Sequence, residues 1–192
     1  MARVKHGKVV AMSAVPPDDP ALHLAVAFVN TYDLFPEPAD SLTPQVAATL
    51  ADRYEHPELV PGLRAADLGD LRALRGRCYA VFAGETGAAK VAALNGILEH
   101  VDARARLTPD GRLAATTSGD DPVRVLGVVC ADAMARVLAS GGADRLGTCA
   151  AHPCACGYLD RTRAGRQRFC CQLCNDRAAA AAYRTRRRAA PG

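Results

Sequence analysis

Cys149-Ala-Ala-His-Pro-Cys154 and, after fifteen intervening residues, Cys170-Cys171-Gln-Leu-Cys174 contain two short-spaced cysteine pairs, C-x4-C and C-x3-C. Each spacing suits a tight turn whose two thiolates converge, and four thiolates about 2.3 Å from one tetrahedral ion make a closed structural zinc site. Six of the eight cysteines lie between residues 149 and 174, so the four have to be chosen. Cys156 follows Cys154 by only two residues, and adjacent Cys170 and Cys171 cannot easily both point at one ion. The set chosen is Cys149, Cys154, Cys170 and Cys174, holding one Zn2+ per chain. Cys156 and Cys171 are spare, and His152, inside the first turn, is the main substitute ligand. The competing reading is a disulfide cluster or unpaired buried thiols, but close pairs in an intracellular chain favour metal. Four thiolates leave no open position, so such a site folds a peptide and does not catalyse.

Outward from the cysteines, charge is divided unevenly. Residues 144–192 carry ten arginines against three aspartates, a net of +7, whereas residues 1–143 carry fourteen basic against seventeen acidic side chains, a net of −3. Arginine outnumbers lysine 21 to 3 along the whole chain, so regional charge and not arginine abundance points to a polyanion partner, most often nucleic acid. A membrane partner is not expected, because the terminal helix has no broad apolar face. The apolar run Val9 to Val15 stops at Pro16-Pro17, too short for a signal core or a membrane span, so the protein is expected to be cytoplasmic. With 49% apolar but only 5% aromatic residues and no Trp, the core must rest on Ala, Leu and Val, which favours closely packed helices.

Along the chain, residues 1–19 read as an extended leader, with a candidate strand at Lys8 to Met12. Leu22 to Thr31 reads as a largely buried helix, Thr43-Pro44 as the cap and first position of a second, running to Tyr54. Pro57 and Pro61 place a loop before Asp67 to Phe82, where Leu68, Leu71, Leu74, Cys78 and Val81 recur at helical spacing. Cys78 and Cys130 fall in apolar helical patterns as buried thiols. Thr86 caps Gly87 to Val101, Arg104 to Leu107 and Leu113 to Thr117 form a hairpin around Pro109-Asp110-Gly111, and Asp121-Pro122 opens a helix from Val123 to Ser140. Gly141-Gly142 ends it and marks a boundary between a helical domain, 20–142, and a zinc segment, 143–192. No phosphate-binding loop or nucleophile turn is present, and no enzyme is expected. Asn30, Arg75 and Asn95 are candidates to line a small-molecule pocket, against the commoner outcome that such groups are satisfied within the fold.

These residues resemble the CGNR zinc-finger proteins, whose N-terminal part is the ABATE domain of bacterial transcription regulators. In the finger the resemblance rests on Cys149, Cys154, Tyr158-Leu159-Asp160, the basic stretch Arg161 to Arg168, Phe169-Cys170 and Cys174-Asn175-Asp176-Arg177. The aromatic residue before Cys170 selects it over Cys171, as the spacing does. Leu24-Ala-Val-Ala-Phe-Val-Asn-Thr31 is similar to the opening of the ABATE domain, and Ala93-Leu94-Asn95 to a later helix signature. Ala27 stands where that family has Asp, and Asn175 where it has Gly; if the glycine serves a positive φ, Asn is among the residues that best tolerate one. The resemblance implies a mainly α protein with a small β-hairpin, whose helical N-terminal domain precedes a treble-clef or zinc-ribbon-like finger ending in a helix.

From Asn175 to Arg188 the Ala-rich run has high helix propensity, and a metal at Cys174 would nucleate it. Arg177, Arg184 and Arg188 repeat along one face, Arg186 and Arg187 extend the charge, and Arg161, Arg163, Arg166 and Arg168 line the loop between the cysteine pairs. The expected nucleic-acid contacts are Arg163, Arg166, Arg168, Arg177, Arg184, Arg187 and Arg188, because guanidinium forks match phosphates and the guanine edge. The sequence thus favours a zinc-dependent DNA-binding regulator whose helical domain senses a small-molecule ligand or forms a homodimer. The alternative is a zinc-stabilised interaction or dimerisation module that binds no nucleic acid.

Overall fold

The structure, a computed structural model, describes residues 19–189 except 35–38, 110 and 112. The leader before Asp19, with the candidate strand at Lys8 to Met12, lies outside them, as does Asp110 of the first hairpin's turn. Seven helices and two antiparallel hairpins follow in the order α1 (Pro20–Val29), α2 (Pro44–Arg53), α3 (Val60–Arg64), α4 (Leu68–Ala83), α5 (Gly87–His100), β1 (Arg104–Leu107), β2 (Leu113–Thr116), α6 (Pro122–Ala139), β3 (Leu146–Thr148), β4 (Gly157–Leu159) and α7 (Gln172–Ala189). β1 pairs with β2 from Arg104 opposite Thr116 to Leu107 opposite Leu113, and β3 with β4 from Leu146 opposite Leu159 to Thr148 opposite Gly157.

Local chemistry starts five of these helices. The side chains of Asp19, Thr43, Asp67, Thr86 and Asp121 each accept a backbone N–H of the first turn, as from Val46 to Thr43 at 3.1 Å and from Gly69 to Asp67 at 2.7 Å. Such caps satisfy donors that the helix itself leaves orphaned, at roughly 1 kcal/mol each. The loop expected to hold Pro57 and Pro61 is instead a 3-10 turn, Pro57–Leu59, running into α3. Both prolines there occupy first-turn positions, where a missing N–H costs nothing.

α6 is the central helix, buried from Leu126 to Val137 on most sides and packed against α1, α4 and α5. Gly127 permits that approach: a Cβ there would lie 2.7 Å from Val101 Cγ1 and 3.0 Å from Leu74 Cδ1. Phe28, Phe82, Leu74, Ile97 and Met134 complete the core, with Cys78 and Cys130 as buried thiols within it. The chain beyond Gly141-Gly142 shares this packing, since Leu146 of β3 is fully buried in the same core. Lys90, itself buried, reinforces the junction by donating from Nζ to the carbonyls of Ala143 and Leu146.

Arg75 of α4 holds the segment after α1. Its Nη1 donates to Asp40 Oδ1 at 2.6 Å and to Thr31 Oγ1 at 3.0 Å, and its Nη2 to Asp40 Oδ2 at 3.0 Å. Arg75 in this way holds the Asp40 carboxyl well below the usual carboxylate range, against the opposing effect of burial. A carboxyl lowered on folding stabilises fully above its unfolded value, about 4, and loses that contribution as acid protonates it. Asp40→Asn is therefore expected to cost about 2 kcal/mol at neutral pH, and the gap to the parent protein should close as pH falls below about 4. Urea unfolding at a series of pH values measures it.

Candidate metal centre and basic surface

Cys149 leaves β3 and Cys154 closes a turn leading back to β4, while Cys170 and Cys174 flank the start of α7. The cysteine sulfurs of Cys149, Cys154, Cys170 and Cys174 all lie within 4.8 Å of one another. Cys154 to Cys170 and Cys170 to Cys174 are each 3.7 Å apart, close to the roughly 3.8 Å edge of a tetrahedron with 2.3 Å metal–sulfur bonds. This is one four-cysteine site that fits one zinc ion. Backbone N–H groups point at the sulfurs, from Cys170 to Cys149 Sγ at 3.4 Å and from Cys156 to Cys154 Sγ at 3.5 Å. Donors of this kind offset thiolate charge from outside the metal shell.

Burial pushes the Cys174 thiol up to about 12, opposed by the Cys170 thiol and helped by those of Cys171, Cys154 and Cys149, and burial with the neighbouring sulfurs pushes the Cys170 thiol higher still. Cys149 moves the other way: burial would raise it, but backbone N–H groups of Cys170 and Ala151 and the thiols of Cys154 and Cys170 lower it. Four sulfurs this close cannot all ionise unaided, because like charges oppose each other; a divalent cation supplies the missing positive charge. His152 is exposed and stands outside the cluster, as does exposed Cys171. Cys156 is buried beside Cys154 but does not complete the four.

Around the cysteines the apolar packing is small, consisting of Ala151 with the partly buried Phe169 and Ala178. Burying a Phe side chain contributes about 2–3 kcal/mol, whereas structural zinc supplies roughly 10–16 kcal/mol of binding energy in small metal-folded modules. Metal coordination therefore contributes more than apolar burial to holding this part together.

Asp160 shapes the basic loop. Its buried carboxylate accepts from Thr162 N at 2.7 Å, Thr162 Oγ1 at 2.6 Å and Gln167 N at 2.9 Å. Burial works against ionisation here, but those donors and nearby Arg145 hold the carboxyl below its ordinary value. Asp160→Ala is expected to lower stability by about 2–3 kcal/mol by leaving the donors unsatisfied, and Asp160→Asn, which keeps an acceptor oxygen, by less. Urea denaturation of the zinc-loaded proteins reads the difference.

The seven arginines expected to touch nucleic acid are all exposed. Arg163, Arg166 and Arg168 stand on the loop shaped by Asp160, and Arg177, Arg184, Arg187 and Arg188 on α7. Among the described residues, the side chains of Arg163, Arg166, Arg168, Arg184, Arg187 and Arg188 form no ion pair with an acid. Arg168 lies 5.7 Å over the Phe169 ring and Arg187 6.0 Å over Tyr183. Of α7, Cys174 and Ala178 pack into the cysteine cluster, and every residue from 179 to 188 is exposed. The helix begins at Gln172, two residues before the start expected at Cys174, and Gln172 Nε2 donates to Asp176 Oδ1 at 2.7 Å across the first turn. Asn175 is thus helical and takes no positive φ, so glycine's freedom is not needed there.

The three residues considered for a ligand pocket are not collected in one place. Asn30, capping α1, is committed to β4: its Nδ2 donates to Gly157 O at 2.9 Å and its Oδ1 accepts from Gly157 N at 2.8 Å. Gly157 in turn lies against Phe82 and Val29, where a Cβ would be 3.1 Å from each. Arg75 lines a different cavity, and Asn95 is exposed on α5. Sequence reasoning missed the Asn30 clamp because its partners are 127 residues apart. The only signal was a polar residue ending an apolar helix.

Residues 22–141 match the ABATE family, described as "Putative stress-induced transcription regulator", and residues 145–187 match the CGNR zinc finger. No curated protein matches the chain. Among the described residues, no helix is long and apolar enough to cross a membrane.

Proposed function

The chain belongs to the ABATE family of transcription regulators and ends in a CGNR zinc finger, and from that premise we propose that it regulates transcription by binding DNA through a basic surface that zinc assembles. Cys149, Cys154, Cys170 and Cys174 hold the ion. The observation that carries the reading is an exposed helix, α7, packed into the cysteine cluster at Cys174 and Ala178 and bearing Arg184, Arg187 and Arg188, which form no ion pair with a described acid. Most helical stability in proteins comes from tertiary packing, which α7 has around Cys174 and Ala178, so its orientation depends on the site at its start.

Arg163, Arg166, Arg168, Arg177, Arg184, Arg187 and Arg188 contact phosphates, with room for a few to reach base edges. Residues 143–192 serve as the DNA-contacting module and residues 20–142 as the part that senses a ligand or dimerises. The three clamps at the junction, Asn30 to Gly157, Tyr79 to Ala155 and Lys90 to Leu146, give events in the helices a route to the finger.

Selection of bound fragments from genomic DNA, run with and without a chelator, tests this. Enrichment of a shared sequence only when zinc is present supports it. Equal enrichment in both arms would mean DNA binding that does not depend on zinc, and no enrichment in either leaves the finger as an interaction module.

A further inference from the structure

A cavity of about 310 Å³ lies between the helices and the turn that carries Cys154. α4 offers it Arg72, Arg75, Gly76 and Tyr79, spaced along one helical face; Tyr32 borders it, and Ala155, between Cys154 and Cys156, closes the other end. Its size is at the lower end of the range for small-molecule sites, about 300–1,000 Å³.

Three features distinguish this cavity from a packing gap. Gly76 sits in the interior of a 16-residue helix, where alanine would be more stable, and a Cβ there would meet nothing within 4 Å. Packing gives no reason for the glycine, and its missing side chain widens the cavity. Arg75 commits both Nη groups to Asp40 and Thr31 and lies 5.6 Å over the Tyr32 ring, so it forms a rigid wall. Arg72 differs: only its Nε is used, donating to Asp40 Oδ2 at 3.0 Å, and its Nη groups have no acceptor among the described residues. The two guanidiniums share one carboxylate, Asp40, which leaves the Nη edge of Arg72 as the cationic group on offer.

We propose that the cavity binds a small monocarboxylate with a flat apolar body. The carboxylate takes the Nη edge of Arg72, and the ring lies over Gly76 between Tyr32 and Tyr79. The inference rests on reading the helical part as a sensor and names the chemistry that it senses. Tyr79 links the site to the finger, because its hydroxyl donates to Ala155 O at 2.9 Å. A bound ring therefore touches both the helix and the turn that leads from one metal-binding cysteine.

The test is titration of the zinc-loaded full chain, without DNA, with benzoate, phenylacetate and indole-3-acetate, followed by calorimetry and by backbone amide NMR. The carboxylates should shift the amides of Gly76 and Ala155, and the corresponding neutral amides should bind at least tenfold more weakly. Arg72→Gln should weaken carboxylate binding at least tenfold while zinc content and fold are retained. Gly76→Leu should abolish binding while the protein remains folded, since a Cβ there meets nothing within 4 Å and the rest of the side chain enters the cavity. No shift with any carboxylate up to about 10 mM, weaker than specific recognition, would overturn the proposal. So would equal binding of the neutral amides, or unchanged affinity in Arg72→Gln. No duplex takes part, so this result and the DNA result are read separately.

Discussion

Cys170→Ser and Cys174→Ser are expected to empty the metal site, whereas Cys156→Ser and Cys171→Ser keep about one zinc per chain, as four-thiolate coordination requires. The contrast within the adjacent pair is the sharp one. Cys170 Sγ is 3.7 Å from the sulfurs of both Cys154 and Cys174, while the Cys171 side chain is exposed. Removing one thiolate of four breaks a site worth roughly 10–16 kcal/mol, far more than Phe169 and two alanines can replace. The finger should unfold locally, and α7 should melt with it, because every residue from 179 to 188 is exposed. The helices of residues 20–142 keep their own core and should stay folded. Metal analysis together with far-UV circular dichroism reads both effects. Zinc lost from Cys171→Ser but kept in Cys170→Ser would reverse the assignment.

The second large effect concerns charge. Arg184→Ala, Arg187→Ala and Arg188→Ala together remove three exposed cations from the outer half of α7 while leaving the cysteine cluster intact. If each meets a phosphate, the slope of log affinity against log salt should fall by about 3, close to one unit per contact. Affinity should drop at low salt for every duplex tested, since phosphate contacts carry no sequence information. Unchanged DNA binding with disturbed self-association would instead mark α7 as a protein contact.

The helical part was readable because its signals are local. Thr43-Pro44 and Asp121-Pro122 mark the starts of α2 and α6, the apolar run from Leu22 marks α1, and the Leu68-to-Val81 periodicity marks α4. β3 and β4 escaped notice because three residues, Leu-Gly-Thr and Gly-Tyr-Leu, are too short to show an alternation. The Pro57 region misled for a related reason: proline reads as a breaker wherever it stands, and only the fold shows that it occupies a first turn. At the metal centre, spacing picked out the same four cysteines whose sulfurs converge, since short pairs limit which thiols can meet. The Asn30–Gly157 and Tyr79–Ala155 clamps and the cavity beside Gly76 depend on tertiary approach, and a polar residue ending an apolar helix at Asn30 signals the need for a partner without naming it.

Whether zinc assembles a DNA-binding surface is tested most directly by fluorescence anisotropy of a labelled duplex with the zinc-loaded chain, at about 50 and 200 mM salt, repeated after chelation. Six or more arginine–phosphate contacts predict binding at low salt that weakens about a thousandfold at the higher concentration, and that chelation abolishes. Failure of the zinc-loaded protein to bind at low salt, or binding that survives removal of the metal, would contradict a zinc-assembled DNA contact.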